Sequence, residues 1–405
     1  MINYVLPILF FSITTFSLSV TTLFRSGILV LLALLILIIK PVKFGNYKVI
    51  TILFCIIIFM YTASFIVNDQ SYVNFLIGTF GRNFGILALI GLFLFVLESA
   101  DNFAHSSQKL INSLYLLLGL SNLYGVIQSL GIDPINWEKG AGISITIGNP
   151  NFYSALLGML SIIPLYSYFN ANKKYKYLHL LLYLSTFIQI IITGSSQGFV
   201  LFITNILLFV LLTFQNVLLN RIKIVLLLFS VFFSAVIVIL LTNLQYILNY
   251  IDVNLQFKSR IDHWALGLRI WKDHFLFGVG IENLANFSGQ YRDQAMREWG
   301  QYTLPDKSHN TFIDYFATGG FIVGLCWILF VVIIFAKSFK ILRTASDLKN
   351  FDHVHTLFCV WATWILQTTF SPDHLVLAAC GMMAAGALLG NANKAKSRES
   401  KESAK

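Results

Sequence analysis

Charge is what this chain has least of. Charged residues make up 11% of its 405 positions while hydrophobic residues make up 57%, a balance that excludes an ordinary soluble domain, in which about a quarter of the residues are charged. Cysteine is also scarce. The four cysteines, Cys55, Cys326, Cys359 and Cys380, all lie in or beside apolar runs, so they read as packing residues, with no disulfide framework or thiolate metal site. No Asp-x-Asp pair is present. The Gly-x-Gly of "FGVG" neither follows a strand nor opens a GxGxxG, and it reads as a turn.

What the chain has in abundance is uncharged apolar sequence. A bilayer core about 30 Å thick needs roughly 20 apolar residues per helix. Runs of about that length centre near residues 12, 31, 58, 90, 120, 160, 185, 209, 232, 322, 361 and 382. The expected fold is therefore an all-α polytopic membrane protein of about twelve transmembrane helices. The first run, YVLPILFFSITTFSLSV, lacks both a basic flank and a small-residue cleavage site, and reads as an anchor rather than a signal peptide.

Lys and Arg set the orientation. With both termini in the cytoplasm, the inner connections hold Lys40, Lys43, Lys48, Lys109, Lys173, Lys174, Lys176, Arg221, Lys223, Lys337, Lys340, Arg343 and Lys349, and the short outer ones only Arg25, Arg82 and Lys139. The net charge of +10 is then mostly an orientation signal, and no nucleic-acid partner is implied. The expected organisation is nine spans in residues 1–242, a large extracytoplasmic loop in 243–309, three more spans in 310–390, and a disordered cytoplasmic tail in 391–405 resting near anionic lipid. No internal repeat relates the two halves, which weakens a repeat-built transporter.

The large loop holds most of the polar chemistry. Within QFKSRIDHWALGLRIWKDHFL, apolar residues recur at Phe257, Ile261, Trp264, Leu268, Trp271 and Phe275, the spacing of an amphipathic helix able to lie on the bilayer or on other helices. At about 100° per residue, Arg260, His263 and His274 project along one edge of that stripe. This edge meets lipid head groups if the helix is only a float; otherwise Arg260 is a phosphate ligand. Further on, Arg292, Arg297, Trp299, Tyr302 and Lys307 mix basic and aromatic side chains, suited to sugars and phosphates or to a solvated surface.

Other polar groups sit at the same membrane level. Asn149-Pro150-Asn151 reads as a helix start, with Asn149 as cap and Pro150 where its missing N–H costs nothing. The turn TGSSQG carries Gln197. In KSHNTFIDYFATGG, Ser308 is the expected cap of a span running on through FIVGLCWILFVVIIFA, with His309 and Asn310 in its first turn. Free amides and the positive end of the helix dipole would then face an anionic oxygen, with His309 near enough to take a proton from a hydroxyl. Asp314, one turn further in, is an intramembrane carboxylate and so a functional candidate. His353/His355 and Asp373/His374 read as two separate interfacial groups.

Taken in order, "GNPN" entering a span, "TGSSQG", "RIDHW", "FLFGVG" and "HNTFIDYFATGGFIVGL" resemble the O-antigen ligase and polymerase superfamily of bacterial envelope glycan transferases, most strongly from about residue 145 to 325. The resemblance implies a metal-independent glycosyltransferase of lipopolysaccharide or related envelope biosynthesis, needing no cofactor and sited in the bacterial inner membrane. Its donor would be an undecaprenyl-diphosphate-linked glycan, its partner a glycan or lipid acceptor hydroxyl at the outer face. Carried over by motif, Arg260 would hold the diphosphate and His309 would be the base or acceptor-positioning residue, with Asn310 beside it. Asn149, Asn151, Gln197, Lys258, Arg82 and Tyr302 complete the expected substrate-binding set.

One departure stands out. Where the family commonly carries Ser-Arg, this chain has Ser196-Gln197; either Arg82 or Lys258 compensates for the missing charge, or the donor is handled differently. Ligase and repeat-unit polymerase remain the two alternatives, with ligase slightly preferred. A transporter or lipid flippase is the rival class, which would place paired charges or broken helices near mid-bilayer.

Overall fold

In the computed structural model, residues 18–39, 47–103, 107–133, 135, 142–213, 255–293, 296–297, 304–344 and 353–402 are described, and they are helical with no strand among them. The helices are α1 (Leu18–Ile39), α2 (Lys48–Val67), α3 (Tyr72–Leu76), α4 (Ile86–Phe103), α5 (Ser107–Ser129), α6 (Pro150–Leu160), α7 (Ile162–Asn170), α8 (Lys173–Ile192), α9 (Ser196–Thr213), α10 (Leu255–Asp273), α11 (Leu284–Tyr291), α12 (Thr311–Thr344), α13 (His353–Thr368) and α14 (Leu375–Glu402). Among the described residues, 8 helical segments are long and apolar enough to cross a membrane, with α6 and α7 acting as one; Thr22–Leu35 of α1 is a shorter apolar stretch. The apolar runs at residues 12 and 232 lie outside the described residues.

At the centre, α14 packs along α4, and both are almost wholly buried. Cys326, Cys359 and Cys380 lie in this core with Trp327, Trp361 and Trp364. By contrast α8 and α9 turn large apolar side chains outward, among them Leu181, Ile188 and Leu207, as a lipid-facing surface requires.

Two helix breaks are built by sequence and repaired by neighbours. Pro164 lacks an N–H, and its ring crowds the carbonyl of Leu160, so α6 and α7 part at Ser161. The amide of Asn205 on α9 donates to the freed carbonyls of Gly158 and Met159 at 2.7 and 3.1 Å, which keeps backbone oxygens satisfied at membrane depth. In α12 the break is at Gly320, with φ 77° and ψ −174°. Here the chain from Leu276 to Gly280 docks against the break: Val279 and Gly280 donate their N–H groups to the carbonyls of Ala317 and Thr318, and Phe321 donates to Phe275. A Cβ on Gly320 would collide with the Leu276 carbonyl. The "FGVG" turn is therefore real, and its place is at a helix break.

Several sequence expectations change. Arg25 falls inside α1, buried, donating to the Thr146 carbonyl, and is not in a loop. The stretch 391–402, expected as a disordered tail, continues α14 to Glu402; it is rich in the helix formers Ala, Lys and Glu. Asn391 donates to Ser107 Oγ at 3.0 Å, which ties the start of that extension to α5.

Candidate functional site

Helix α10 carries the polar edge expected of it. Arg260, His263, Trp264, Gly267, Ile270 and Trp271 face the protein, while Ile261, Leu268 and Phe275, seven residues apart, are exposed. The close approach to the His309 segment requires Gly267, whose added Cβ would strike Ser308 Oγ and Ile313. Along this contact the Trp264 indole donates to the His309 carbonyl at 3.1 Å. The rings of His263 and His309 stack with centroids 4.5 Å apart and planes 19° from parallel. His274 points elsewhere, against Phe287 and Tyr291.

The start of α12 differs from expectation by a shift of its cap. Asn310, rather than Ser308, caps the helix, its Oδ1 accepting from the N–H groups of Phe312 and Ile313 at 3.0 and 3.1 Å. Its Nδ2 donates to the Thr369 carbonyl at 2.7 Å, so both ends of this amide are used within the protein. His309 lies just before the cap in left-handed backbone, with φ 52°, a conformation histidine tolerates better than most residues. Asp314 folds back to accept from the Ser308 N–H at 2.6 Å, which holds the turn shut.

A second segment, the tight turn 79–85 before α4, is fastened to the same place. Arg82 donates to Asp306 through Nε at 2.6 Å and Nη2 at 3.2 Å. Thr79 Oγ1 donates to Glu282 at 2.8 Å, and Glu282 pairs with Lys307 at 2.5 Å. Thus the "FGVG" segment, the 79–85 turn and the 306–310 segment form one charged knot.

Two adjoining cavities open beside the knot, and Arg82, Asn149 and Phe152 line both. The smaller, about 240 Å³, is also lined by Asn151, Gln197, Ser259, Arg260, His309, Ser371 and Pro372. It therefore brings together Arg82, Asn149, Asn151, Gln197, Arg260 and His309 from the expected set. Asn149 caps α6, accepting from the Asn151 N–H at 2.8 Å. Arg82 shares this cavity with Gln197. The side chain of Lys258, and Tyr302 altogether, lie outside the described residues.

The larger cavity, about 350 Å³, has Thr22, Tyr61, Glu282, Lys307, Asp314, Tyr315, Thr318, Asp373 and His374 in its walls. Asp373 and His374 thus belong to a cavity wall, where an interfacial pair was expected. Neither their role nor that of Glu282 and Asp306 is legible from spacing, because each is brought in by packing between distant segments. The only hint is the short polar stretch "SPDH" at a span mouth, placed like "GNPN".

Electrostatics divide the cavities. Around the smaller one, burial, the His263 ring and the Arg82 cation hold the His309 imidazole down to about 3, so it is neutral at physiological pH. Burial alone would lower the Arg82 guanidinium, but Asp306 outweighs it and the net shift is upward. The same pairing brings Asp306 below its usual range in spite of burial, while burial lowers Arg260 without reaching neutrality. In the larger cavity, burial lifts the Asp373 carboxyl to about 7 and holds His374 down to about 3. Lys307 is driven upward by Glu282 and Asp314 against the effect of burial. No group of three or more His, Cys, Asp or Glu side chains converges on a metal-sized site among the described residues.

A cavity with two guanidinium groups, an amide and a neutral imidazole can bind a polyanion and take up a proton beside it. A comparison with curated proteins gave no match. The family model described as O-Antigen ligase matches residues 179–328, a stretch that includes Gln197, Arg260, His309 and Asn310 but not Arg82 or Asn149. Over residues 179–328, a stretch of 150 of the 405 residues, the chain is similar to the O-Antigen ligase family.

Proposed function

We propose that the protein transfers a glycan from an undecaprenyl-diphosphate donor to an acceptor hydroxyl, as an O-antigen ligase-like enzyme at the outer face of the bacterial inner membrane. The observation that carries this reading is that Arg260 and His309, 49 positions apart in sequence, line one cavity with Arg82 and Gln197. Diphosphate is already a good leaving group, so the protein has mainly to neutralise it and to hold an acceptor hydroxyl in line.

In this scheme Arg260 and Arg82 take the diphosphate oxygens, and Gln197 adds a neutral hydrogen bond. The acceptor oxygen forms a bond to the anomeric carbon as the bond from that carbon to the phosphate oxygen breaks. The electron pair leaves on the diphosphate, whose charge the guanidinium groups hold, and the hydroxyl proton passes to the neutral His309 imidazole. Held down to about 3 by burial, His263 and Arg82, His309 is by itself a weak base. A bound diphosphate offsets the neighbouring cations and raises its proton affinity as the donor docks. Trp264 and His263 position the imidazole, Asn310 fixes the helix start behind it, and the scheme uses no metal ion.

The excess of Lys and Arg in the connections assigned to the inner side supports cytoplasmic termini and an outward-facing site. Repeat-unit polymerisation uses the same chemistry with a growing glycan as acceptor, and remains the second reading. The test is to supply purified protein with a lipid-diphosphate oligosaccharide and an acceptor. Release of lipid diphosphate dependent on the acceptor is expected, together with a rise of tenfold or more in donor KM for Arg260→Ala. Movement of the intact donor across the bilayer without cleavage would favour a flippase instead.

A further inference from the structure

The larger cavity is not a phosphate site. Glu282, Asp314 and Asp373 stand in its wall with Lys307, and Lys307 is already paired to Glu282 at 2.5 Å. A phosphate placed there would meet the carboxylates of Glu282, Asp314 and Asp373, against Lys307, paired to Glu282, and the shared Arg82, paired to Asp306. What the wall offers is hydrogen-bond acceptors and aromatic faces. Asp314, only 7% exposed, engages Oδ1 with the Ser308 N–H. Asp373 likewise engages Oδ1 with the Trp364 indole and the His374 N–H, leaving Oδ2 without a hydrogen bond among the described residues. Tyr315, 9% exposed, makes none through its hydroxyl. Tyr61 and Thr318 bond to each other at 3.0 Å, and the His374 ring lies over Phe152 at 4.9 Å.

Carboxylate oxygens in a cavity wall are ready acceptors for the hydroxyls of a ligand. A volume of about 350 Å³ lies at the lower end of small-ligand sites, enough for a sugar ring. We infer that this chamber is a subsite for an uncharged, polyhydroxylated sugar ring, whose hydroxyls donate to Asp314 and Asp373, and that it rejects anionic sugars such as hexuronic acids. The inference rests on the transferase reading and adds to it a sugar preference. Its neighbour across the shared wall of Arg82, Asn149 and Phe152 is the proposed diphosphate cavity, so the ring comes either from the donor, next to the phosphate, or from the acceptor.

Binding to the full chain in lipid nanodiscs tests this with five probes: undecaprenyl diphosphate, the same lipid carrying one hexose, the same lipid carrying one hexuronic acid, free methyl hexoside and free methyl hexuronide. If the ring is the donor's, the hexose lipid binds at least tenfold tighter than the bare lipid and the hexuronic lipid does not. If it is the acceptor's, the two lipids bind alike, methyl hexoside binds saturably, and methyl hexuronide does not. Under either source, Tyr315→Phe and Asp314→Asn weaken the hexose-dependent binding at least fivefold and leave bare lipid diphosphate binding unchanged. Tyr315→Phe keeps the ring in place and so separates ligand loss from misfolding. Equal binding of hexose and hexuronic forms, no hexose-dependent binding by any probe, or indifferent variants would overturn the inference. Saturable hexoside binding without any binding of bare lipid diphosphate would support the chamber while counting against the transferase reading.

Discussion

The indole N–H of Trp264 donates to the backbone carbonyl of His309 across 3.1 Å, so α10 holds the segment that leads into α12. His309 keeps a left-handed backbone there, with φ 52°, and strain of this kind persists only where surrounding contacts over-determine it. Replacing Trp264 with Phe keeps the ring and removes the donor. One such hydrogen bond contributes about 1 kcal/mol, so kcat should fall by roughly fivefold to tenfold with donor KM little changed. An equal rise in donor KM would assign Trp264 to binding instead.

Arg82 is engaged twice, by Asp306 at 2.6 Å and, on the proposed scheme, by the diphosphate. Both side chains of the pair are partly exposed, and such pairs contribute little to stability. Asp306→Asn should therefore leave turnover within a few-fold of the parent, whereas Arg82→Ala should raise donor KM by about tenfold or more. Steady-state kinetics on both variants decides the matter, and equal effects would make Arg82 a structural residue only.

How much of this was readable from the chain depends on whether a residue's place is set locally. The 8 segments long enough to cross a membrane among the described residues follow from the lengths of their apolar runs, and Asn149-Pro150 is a helix start wherever it occurs. Arg260 and Trp264 share a face of α10 by helical spacing alone. The cap of α12 was misplaced from Asn310 to Ser308 because both residue types cap equally well; the choice was made by Asp314 reaching back to the Ser308 amide and by Thr369 taking the Asn310 amide. Glu282 and Asp306 were passed over, and Asp373 was read only as interfacial, for a related reason. Their partners Thr79, Arg82 and Trp364 meet them only once the helices pack, and no spacing rule reports that.

Gly320 is the position where the fold leaves least freedom. Its φ of 77° suits glycine, and a Cβ would strike the Leu276 carbonyl. Gly320→Ala should destabilise the protein by about 1 to 3 kcal/mol, visible as a lower melting temperature in detergent. An unchanged melting temperature would mean that the docking of residues 276–280 is not tied to this break.

Acid should weaken the fold through its buried histidines. His309 and His374 are both held down to about 3 from an ordinary value of 6.5, burial being the main cause. The unfolded chain takes up these protons as pH drops below 6.5, whereas the folded chain resists until about 3. Stability contributed by the neutral rings is thus full above pH 6.5 and is lost as pH falls through that window, at about 1.4 kcal/mol per pH unit for each group. Melting temperature should decline from pH 7 to pH 5, and His309→Asn should make the decline shallower. A slope unaffected by the substitution would contradict the assignment.

The central claim is that His309 takes the acceptor's proton in a cavity where arginines hold the donor's diphosphate. Its most direct test pairs lipid-diphosphate release with donor binding in His309→Ala. The account predicts that release falls at least a hundredfold, within the range expected for loss of a general base, while the donor still binds within a few-fold of the parent. Normal turnover by that variant would contradict it.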